Sequence, residues 1–161
     1  MTMKFSKLAL LIFSVLILFS VENYSQSTSS SRRQPPTPNN VASDAVRGSA
    51  AYAEVLLRKT EIEAELEALL IDYTDDFPKV AELKYELGRI NFAADQLLAV
   101  KVAETGKLTL ALGKLMVKRA EAESALNETA KTYKEGHPDH KRAKRRVEIY
   151  DNAVKEILGG K

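Results

Sequence analysis

Two histidines and an aspartate lie within four consecutive residues, His137-Pro138-Asp139-His140. Imidazole and carboxylate groups are ligands that zinc and copper accept in proteins. The cluster spans a predicted turn, however, and no third type of strong ligand lies close to it in the sequence. A turn accounts for these residues without a metal, so the sequence predicts neither a metal site nor a bound cofactor.

A dense basic run follows the histidines. Its cations are Lys141, Arg142, Lys144, Arg145 and Arg146. In an intracellular protein such a run would indicate nucleic acid. No aromatic side chains interleave with it to stack on bases, and the N-terminus indicates export, so nucleic acid is not expected. We expect the run to pair with the acidic half of the same chain, with anionic lipid or acidic polysaccharide as alternative partners.

The other reactive side chains form no catalytic pattern. The chain has no cysteine, no glycine-rich phosphate loop and no serine–histidine–aspartate set. The serines cluster near the N-terminus, away from both histidines, and the many helix glutamates are interpreted as solvated surface residues. We therefore expect no catalytic residue and no enzyme activity.

The segments that hold these residues are related by an internal repeat of 60 residues. Residues 56–98 align with residues 116–158 at eight identical positions of 43. The identical pairs are Glu61/Glu121, Glu63/Glu123, Leu66/Leu126, Tyr73/Tyr133, Pro78/Pro138, Lys84/Lys144, Ala93/Ala153 and Leu98/Leu158. We interpret the alignment as two copies of one helix–turn–helix unit.

Apolar residues recur at alternating steps of three and four in this region, which is rich in Ala, Leu, Glu and Lys. Steps that average 3.5 residues are typical of a coiled-coil seam. In the third helical segment Arg119 stands where an apolar residue is due. The stripe of the last segment consists of Ala143, Val147, Tyr150, Val154 and Ile157.

The prolines predict where the helices reverse. Proline disfavours the α conformation in the preceding residue and suits the first turn of a helix, so helices are expected to begin at Pro78 and Pro138. Asp75 and Asp76 are expected to cap the first of these helices. Gly136 is expected to end the helix before the second one in a left-handed conformation.

The sequence therefore predicts an all-α fold of two tandem antiparallel helical hairpins, residues 50–105 and 106–161, as an elongated coiled coil or a four-helix bundle. The seam continues past Gly106 without a slip, which slightly favours one long central helix with folded-back arms. The first hairpin holds 6 basic and 12 acidic residues, the second 13 and 8. Opposite charges favour association within a chain or head to tail between chains.

The N-terminal segment indicates export. Two lysines precede a largely apolar run from Leu8 to Val21, which fits a signal peptide and is shorter than the roughly 20 residues of a membrane span. We expect residues 1–27 to be a cleaved signal peptide, or alternatively an N-terminal membrane anchor, and the body to be periplasmic or secreted. Residues 28–49 are rich in Ser, Pro and Asn and are predicted to be a disordered linker.

The turns carry a resemblance to a known family. It rests on Leu69, Leu70, Tyr73, Phe77, Pro78, Val80, Leu83, Glu86, Leu87 and Ile90. This pattern resembles the periplasmic coiled-coil segment of bacterial polysaccharide chain-length determinant and exopolysaccharide export proteins. Tyr133, His137 and Pro138 repeat it, with His140 in place of the valine. The resemblance implies an exported coiled-coil accessory of a cell-envelope or polysaccharide-export assembly, and no catalytic residues.

Together these features predict a non-enzymatic exported coiled-coil scaffold that binds protein partners and self-associates through its seams. A periplasmic holdase-type chaperone is the alternative, because small helical hairpins with basic tips can clasp unfolded clients. The candidate interaction residues lie at the two turns and in the basic run. They are Tyr73, Phe77, Pro78, Tyr133, His137, Pro138, Lys141, Arg142, Lys144, Arg145 and Arg146.

Overall fold

A computed structural model describes the backbone of residues 38–159 and the side chains of residues 43–159. Every regular element in this part is a helix, which confirms the all-α prediction. The helices are α1 (Pro38–Arg47), α2 (Ala50–Asp72), α3 (Pro78–Leu98), α4 (Leu110–Thr132) and α5 (Pro138–Leu158), with a 3-10 helix at Val102–Lys107. None of these helices is both long and apolar enough to span a bilayer. The predicted signal peptide, residues 1–27, lies outside the described residues.

Helices α2 and α4 begin and end 60 residues apart, as do α3 and α5. Their first turns are closed in the same way. The Tyr52 N–H donates to the Ser49 hydroxyl at 3.2 Å, and the Leu112 N–H donates to the Thr109 hydroxyl at 3.3 Å. Such N-cap hydroxyls satisfy a backbone donor that has no partner inside the helix. Helices α3 and α5 each begin at a proline, as predicted.

Two of the predicted caps are wrong. The residue before α3 is Phe77, which makes no side-chain cap bond, and Asp75 pairs instead with Lys84 at 2.7 Å. The proline that follows Phe77 holds it extended, so both aspartates come too early to cap. Helix α4 ends at an extended Tyr133. Gly159 alone among the described glycines has a positive φ, so Gly136 forms no left-handed end.

The preference for one continuous central helix is also wrong. Helix α3 ends at Leu98, and the chain turns back through the 3-10 helix before α4 begins at Leu110. Folding back places α4 against both α2 and α3 and buries Leu97, Leu112 and Met116 completely. The stabilisation comes from contacts between segments that are distant in sequence. The spacing of apolar residues within one helix does not predict such contacts.

Helix α4 is the central element and packs against α2, α3 and α5. Helices α2 and α4 run in the same direction, since the Ala51 N–H at the start of α2 donates to the Leu108 carbonyl just before α4, at 3.2 Å. Helix α3 is antiparallel to α2, because Glu65 pairs with Lys79 and Arg58 with Glu86. The largest fully buried side chains are Ile62, Leu83, Ile90, Leu97, Leu112, Met116, Val46, Val55, Val80 and Val154.

The predicted disordered linker is wrong in its described part. Residues 38–47 form α1, which packs against α2, α3 and the 3-10 helix. Val46 is buried to 1% exposure at that contact. The segment is too polar to form a core of its own, but one valine docks it onto a surface that the other helices provide. Residues 28–37 lie outside the described part.

Candidate interaction surface

The predicted turn residues lie at two places at one end of the helices, because α2 and α4 run in the same direction. Tyr73 stacks on Phe77 with ring centroids 4.0 Å apart, and Tyr133 stacks on His137 at 4.1 Å. Each stack spans a turn between a helix end and the residue before a proline. The two pairs stabilise their turns locally, and both tyrosines are exposed.

The histidines of the second turn have separate surroundings. The Asp139 N–H donates to Nδ1 of His137 at 3.2 Å, so His137 caps α5. Nδ1 of His140 is buried and makes no hydrogen bond. Residues 43–159 contain no group of three or more His, Cys, Asp or Glu that could hold a metal ion.

The basic run occupies the first two turns of α5, beside the second turn pair. Arg142 pairs with Asp139 at 2.9 Å and Arg145 with Glu148 at 3.1 Å. Both partners belong to α5, so the expected pairing of the run with the acidic half is wrong for these two cations. The side chain of Arg145 is 69% exposed. The run therefore forms an open cationic surface.

An apolar patch adjoins these cations, and the sequence did not predict it. Ile149 is 54% exposed. It lines a surface pocket of about 440 Å³ together with Tyr150, Arg142, Arg145 and Arg146. We call these five residues the α5 face. Tyr150 belongs to the apolar stripe of α5, but it is only partly buried, and Val154 is the only buried residue of α5.

Comparison with α3 explains why this face is open. Helix α3 packs against both α2 and α4, whereas α5 packs mainly against α4. Positions that are buried in α3 are therefore only partly buried 60 residues later in α5. The pairs are Val80/His140, Leu83/Ala143, Ile90/Tyr150, Ala93/Ala153 and Leu97/Ile157. In the part of the chain that the structure describes, helix α5 lacks the second neighbour that α3 has.

A buried arginine joins three helices. The Arg119 side chain is 5% exposed and donates to Asp151 of α5 at 3.2 Å and to the Gln96 side-chain oxygen of α3. The hydrogen bond that Lys155 donates holds the pKa of Asp151 below its usual range; partial burial opposes this, and the charge of Arg119 adds to it. The sequence signal for this network was the interruption of the seam at Arg119.

An ion pair that involves a buried glutamate distinguishes α2–α3 from α4–α5. Glu86 is 5% exposed and accepts hydrogen bonds from Arg58 at 2.6 and 2.9 Å. Burial lowers the pKa of Arg58, but the bonds and charge of Glu86 outweigh it and raise the pKa overall. Sixty residues later the positions hold Lys118 and Arg146, two cations. Lys118 pairs instead with Glu121 at 2.7 Å, and this hydrogen bond raises its pKa.

Comparisons of the chain with protein families, characterised proteins and solved structures gave no match. The residues and their geometry therefore carry the functional proposal.

Proposed function

We propose that this protein is a non-enzymatic exported scaffold that binds proteins through the α5 face. In this proposal α2–α3 and α4–α5 are two tandem helical hairpins that derive from one duplicated unit. The observation that carries it is the contrast between α3 and α5. Helix α5 keeps an apolar stripe of the same period as α3 but has one neighbouring helix fewer among residues 43–159. Tyr150 of that stripe, with Ile149 beside it, is therefore left for a partner.

The composition of the α5 face favours a protein partner. Exposed patches that combine large apolar side chains with arginine are typical of the centres of protein interfaces, where Tyr and Arg are enriched. Cations alone would suit an anionic lipid or an acidic polysaccharide. Ile149, which is 54% exposed, adds a branched aliphatic surface that a polar sugar chain covers poorly.

We place this activity in the cell envelope. The apolar N-terminal run supports export, and the resemblance at Tyr73–Pro78 and Tyr133–Pro138 supports a role as an accessory of a polysaccharide-export assembly. The turns are closed by stacked ring pairs, which makes the ends of the helices well-defined contact points. A scaffold needs such fixed geometry more than it needs reactive groups.

A photo-crosslinking amino acid at Ile149 tests the proposal in the cells that make the protein. We expect protein adducts at this position and their loss when Arg145 and Arg146 are changed to glutamate. The matched control carries the same crosslinker at Leu70, an α2 side chain that is 40% exposed and lies away from α5. Equal adduct yields at both positions, or adducts with lipid or polysaccharide alone, would contradict a protein scaffold.

The second candidate function is a holdase-type chaperone, which binds unfolded clients. It is favoured by further exposed apolar side chains on α2, Leu56 at 47% and Leu57 at 57%. A chaperone should suppress aggregation of an unfolded outer-membrane protein, and Ile149→Glu should weaken that suppression. If aggregation proceeds at the same rate with and without the protein, this candidate is excluded and the scaffold proposal is unaffected.

A further inference from the structure

Helix α4 lies in the groove between α2 and α3, and its contacts there have counterparts elsewhere in the chain. On the α4 side, Met116 is 0% exposed and Val117 is 7% exposed. Gly113 comes so close to α2 that a Cβ at this position would be 2.7 Å from the Ala51 carbonyl oxygen. On the receiving side, Val55 of α2 and Ile90 of α3 are completely buried.

The α4 surface that enters this groove recurs on α2, where it is exposed. The counterparts of Met116 and Val117 are Leu56 and Leu57, which are 47% and 57% exposed. The position of Gly113 corresponds to Ala53, which is also exposed. We call Ala53, Leu56 and Leu57 the α2 face. Two of the large apolar side chains that this protein exposes thus occupy the positions that are buried 60 residues later.

The receiving groove recurs between α4 and α5. The counterparts of Val55, Arg58 and Ile90 are Leu115, Lys118 and Tyr150. Leu115 and Tyr150 are only partly buried, and a pocket of about 340 Å³ opens beside Lys118 and Tyr150. In the groove between α2 and α3, α4 occupies the position that corresponds to this pocket. In the second groove no segment among residues 43–159 does so.

The charges of the two recurring surfaces are complementary. Glu121 of α4 acts on Arg58 of α2 through its charge, and Glu123 accepts a hydrogen bond from Arg89 at 2.9 Å. Both carboxylates have identical counterparts on α2, Glu61 and Glu63. The counterpart of Arg58 is Lys118 and that of Arg89 is Ile149, so the charge relation that recurs is that of Glu61 with Lys118. In the second groove, Arg146 replaces the buried Glu86 and adds positive charge beside Lys118. An acidic helix is therefore the occupant that this groove suits.

We infer that α2 of a second copy occupies the α4–α5 groove, parallel to α4 and in the register that α4 adopts against α2. The inference rests on the proposed function, since it names the partner of the α5 face. The α2 face and the α4–α5 groove are different surfaces, so the contact is heterologous. Each added copy exposes a new groove. Such stacking of repeats is how solenoid proteins extend their core. A head-to-tail assembly of copies results.

Complementation between two variants tests this head-to-tail contact on protein purified from cells that express the full chain. Leu57→Glu alters the α2 face and changes no residue that lines the 340 Å³ pocket of the α4–α5 groove. Tyr150→Glu places a charge in the groove at the counterpart of the buried Ile90 and leaves the α2 face unchanged. In light scattering we expect the unaltered protein to form assemblies, each variant to weaken its self-association at least tenfold, and the mixture to form dimers that grow no further.

The outcomes separate the alternatives. A two-fold contact between α5 helices would be lost in Tyr150→Glu, would survive in Leu57→Glu and would not be rescued by mixing, which would overturn the inference. A protein that stays monomeric at all concentrations would overturn it as well. If monomers nevertheless crosslink to another protein from Ile149, the proposed function stands without the self-association. Leu70→Glu is the matched control for an added charge on α2 and should assemble normally.

Engineered cysteines test the register, since the chain has no cysteine of its own. Gly113 lies against Ala51 within the chain, so Ala53 of one copy should lie against Ala111 of the next. Chains with Ala53→Cys mixed with chains carrying Ala111→Cys should form a mixed disulfide. Lys118→Cys, about 10 Å further along α4, is the off-register control. Equal disulfide yields at 111 and 118 would overturn the register.

Replacing Ala53 by glycine tests whether the assembly can be strengthened. Gly113 permits a close approach of α4 to α2 that any Cβ would prevent. In the proposed contact the Cβ of Ala53 holds α2 of the second copy further from α4 than α4 lies from α2 at Gly113. Ala53→Gly should therefore tighten the assembly severalfold in sedimentation, although it weakens the helix itself. Weaker assembly in this variant would contradict the proposed mode of docking.

Discussion

Gly113 of α4 lies directly against Ala51 of α2. A Cβ on Gly113 would be 2.7 Å from the Ala51 carbonyl oxygen and 2.8 Å from its Cα. Both atoms belong to backbone and cannot move aside as the tip of a side chain can. We expect Gly113→Ala to lower the free energy of unfolding by about 2 kcal/mol, within the range for overpacked sites, as measured by urea denaturation.

Gly88 is the matched control for that substitution. It lies inside α3, and a Cβ there would meet nothing within 4 Å. Because alanine favours the helix over glycine, Gly88→Ala should raise the free energy of unfolding by about 1 kcal/mol. The two substitutions are chemically identical and should have opposite signs. If both stabilise the protein, the close approach of α2 and α4 is not present in solution.

Removing the Arg119 side chain should be the most damaging change in the α4–α5 contact. Arg119→Ala leaves Gln96 without its donor and opens a cavity, so we expect a loss of about 3 kcal/mol in the free energy of unfolding. Arg119→Met fills most of the space and should lose less unfolding free energy than Arg119→Ala. Lys118→Ala, at a side chain that is 57% exposed, should change the stability by less than about 0.5 kcal/mol. Equal losses in all three variants would contradict a buried role for Arg119.

The pair of Arg58 and Glu86 should behave as a unit. Arg58→Met alone leaves a carboxylate with 6% side-chain exposure unpaired, and should lose about 3 kcal/mol of unfolding free energy. Glu86→Leu should lose less, because the Arg58 side chain is 26% exposed and keeps Glu61 at 3.3 Å. The double variant should be more stable than the sum of the two losses implies. Additive losses in the double-mutant cycle would show that the two side chains do not interact.

The depressed pKa of Asp151 gives a prediction for acid stability. The folded protein holds this carboxylate charged through Lys155 and Arg119, so its folded pKa lies below its unfolded pKa. Its contribution to stability is therefore fully present above the unfolded value of about 4 and is lost as the pH falls through the folded value. Asp151→Asn should flatten the decline of unfolding free energy below pH ~4.

Lys155→Met provides the control for that prediction. Its hydrogen bond to Asp151, at 2.6 Å, is the leading cause of the lowered pKa, so this variant should also flatten the acid decline. The two effects should not add in the double variant, because both remove the same interaction. An acid decline that is unchanged in Asp151→Asn would show that other carboxylates are responsible.

Several features followed from the sequence because they depend on neighbouring residues. Proline at 78 and 138 sets the start of a helix through its own φ and through the residue before it. The helical stripes depend on the spacing of three and four residues alone. The 60-residue repeat also predicted that helices would begin and end at corresponding positions, and the bounds of α2 and α4 agree to the residue.

Other features depend on contacts between distant segments, and only the tertiary structure decided them. The chain turns between α3 and α4 because folding back buries Leu97 and Met116. The local spacing of apolar residues does not predict this stabilisation. Val46 docks α1 for the same reason. Arg119 was visible as an interruption of the seam, but its partners Gln96 and Asp151 come from two other helices. The open α5 face exists because α5 has fewer neighbours than α3, and the number of neighbours is a property of the fold, which sequence spacing does not encode.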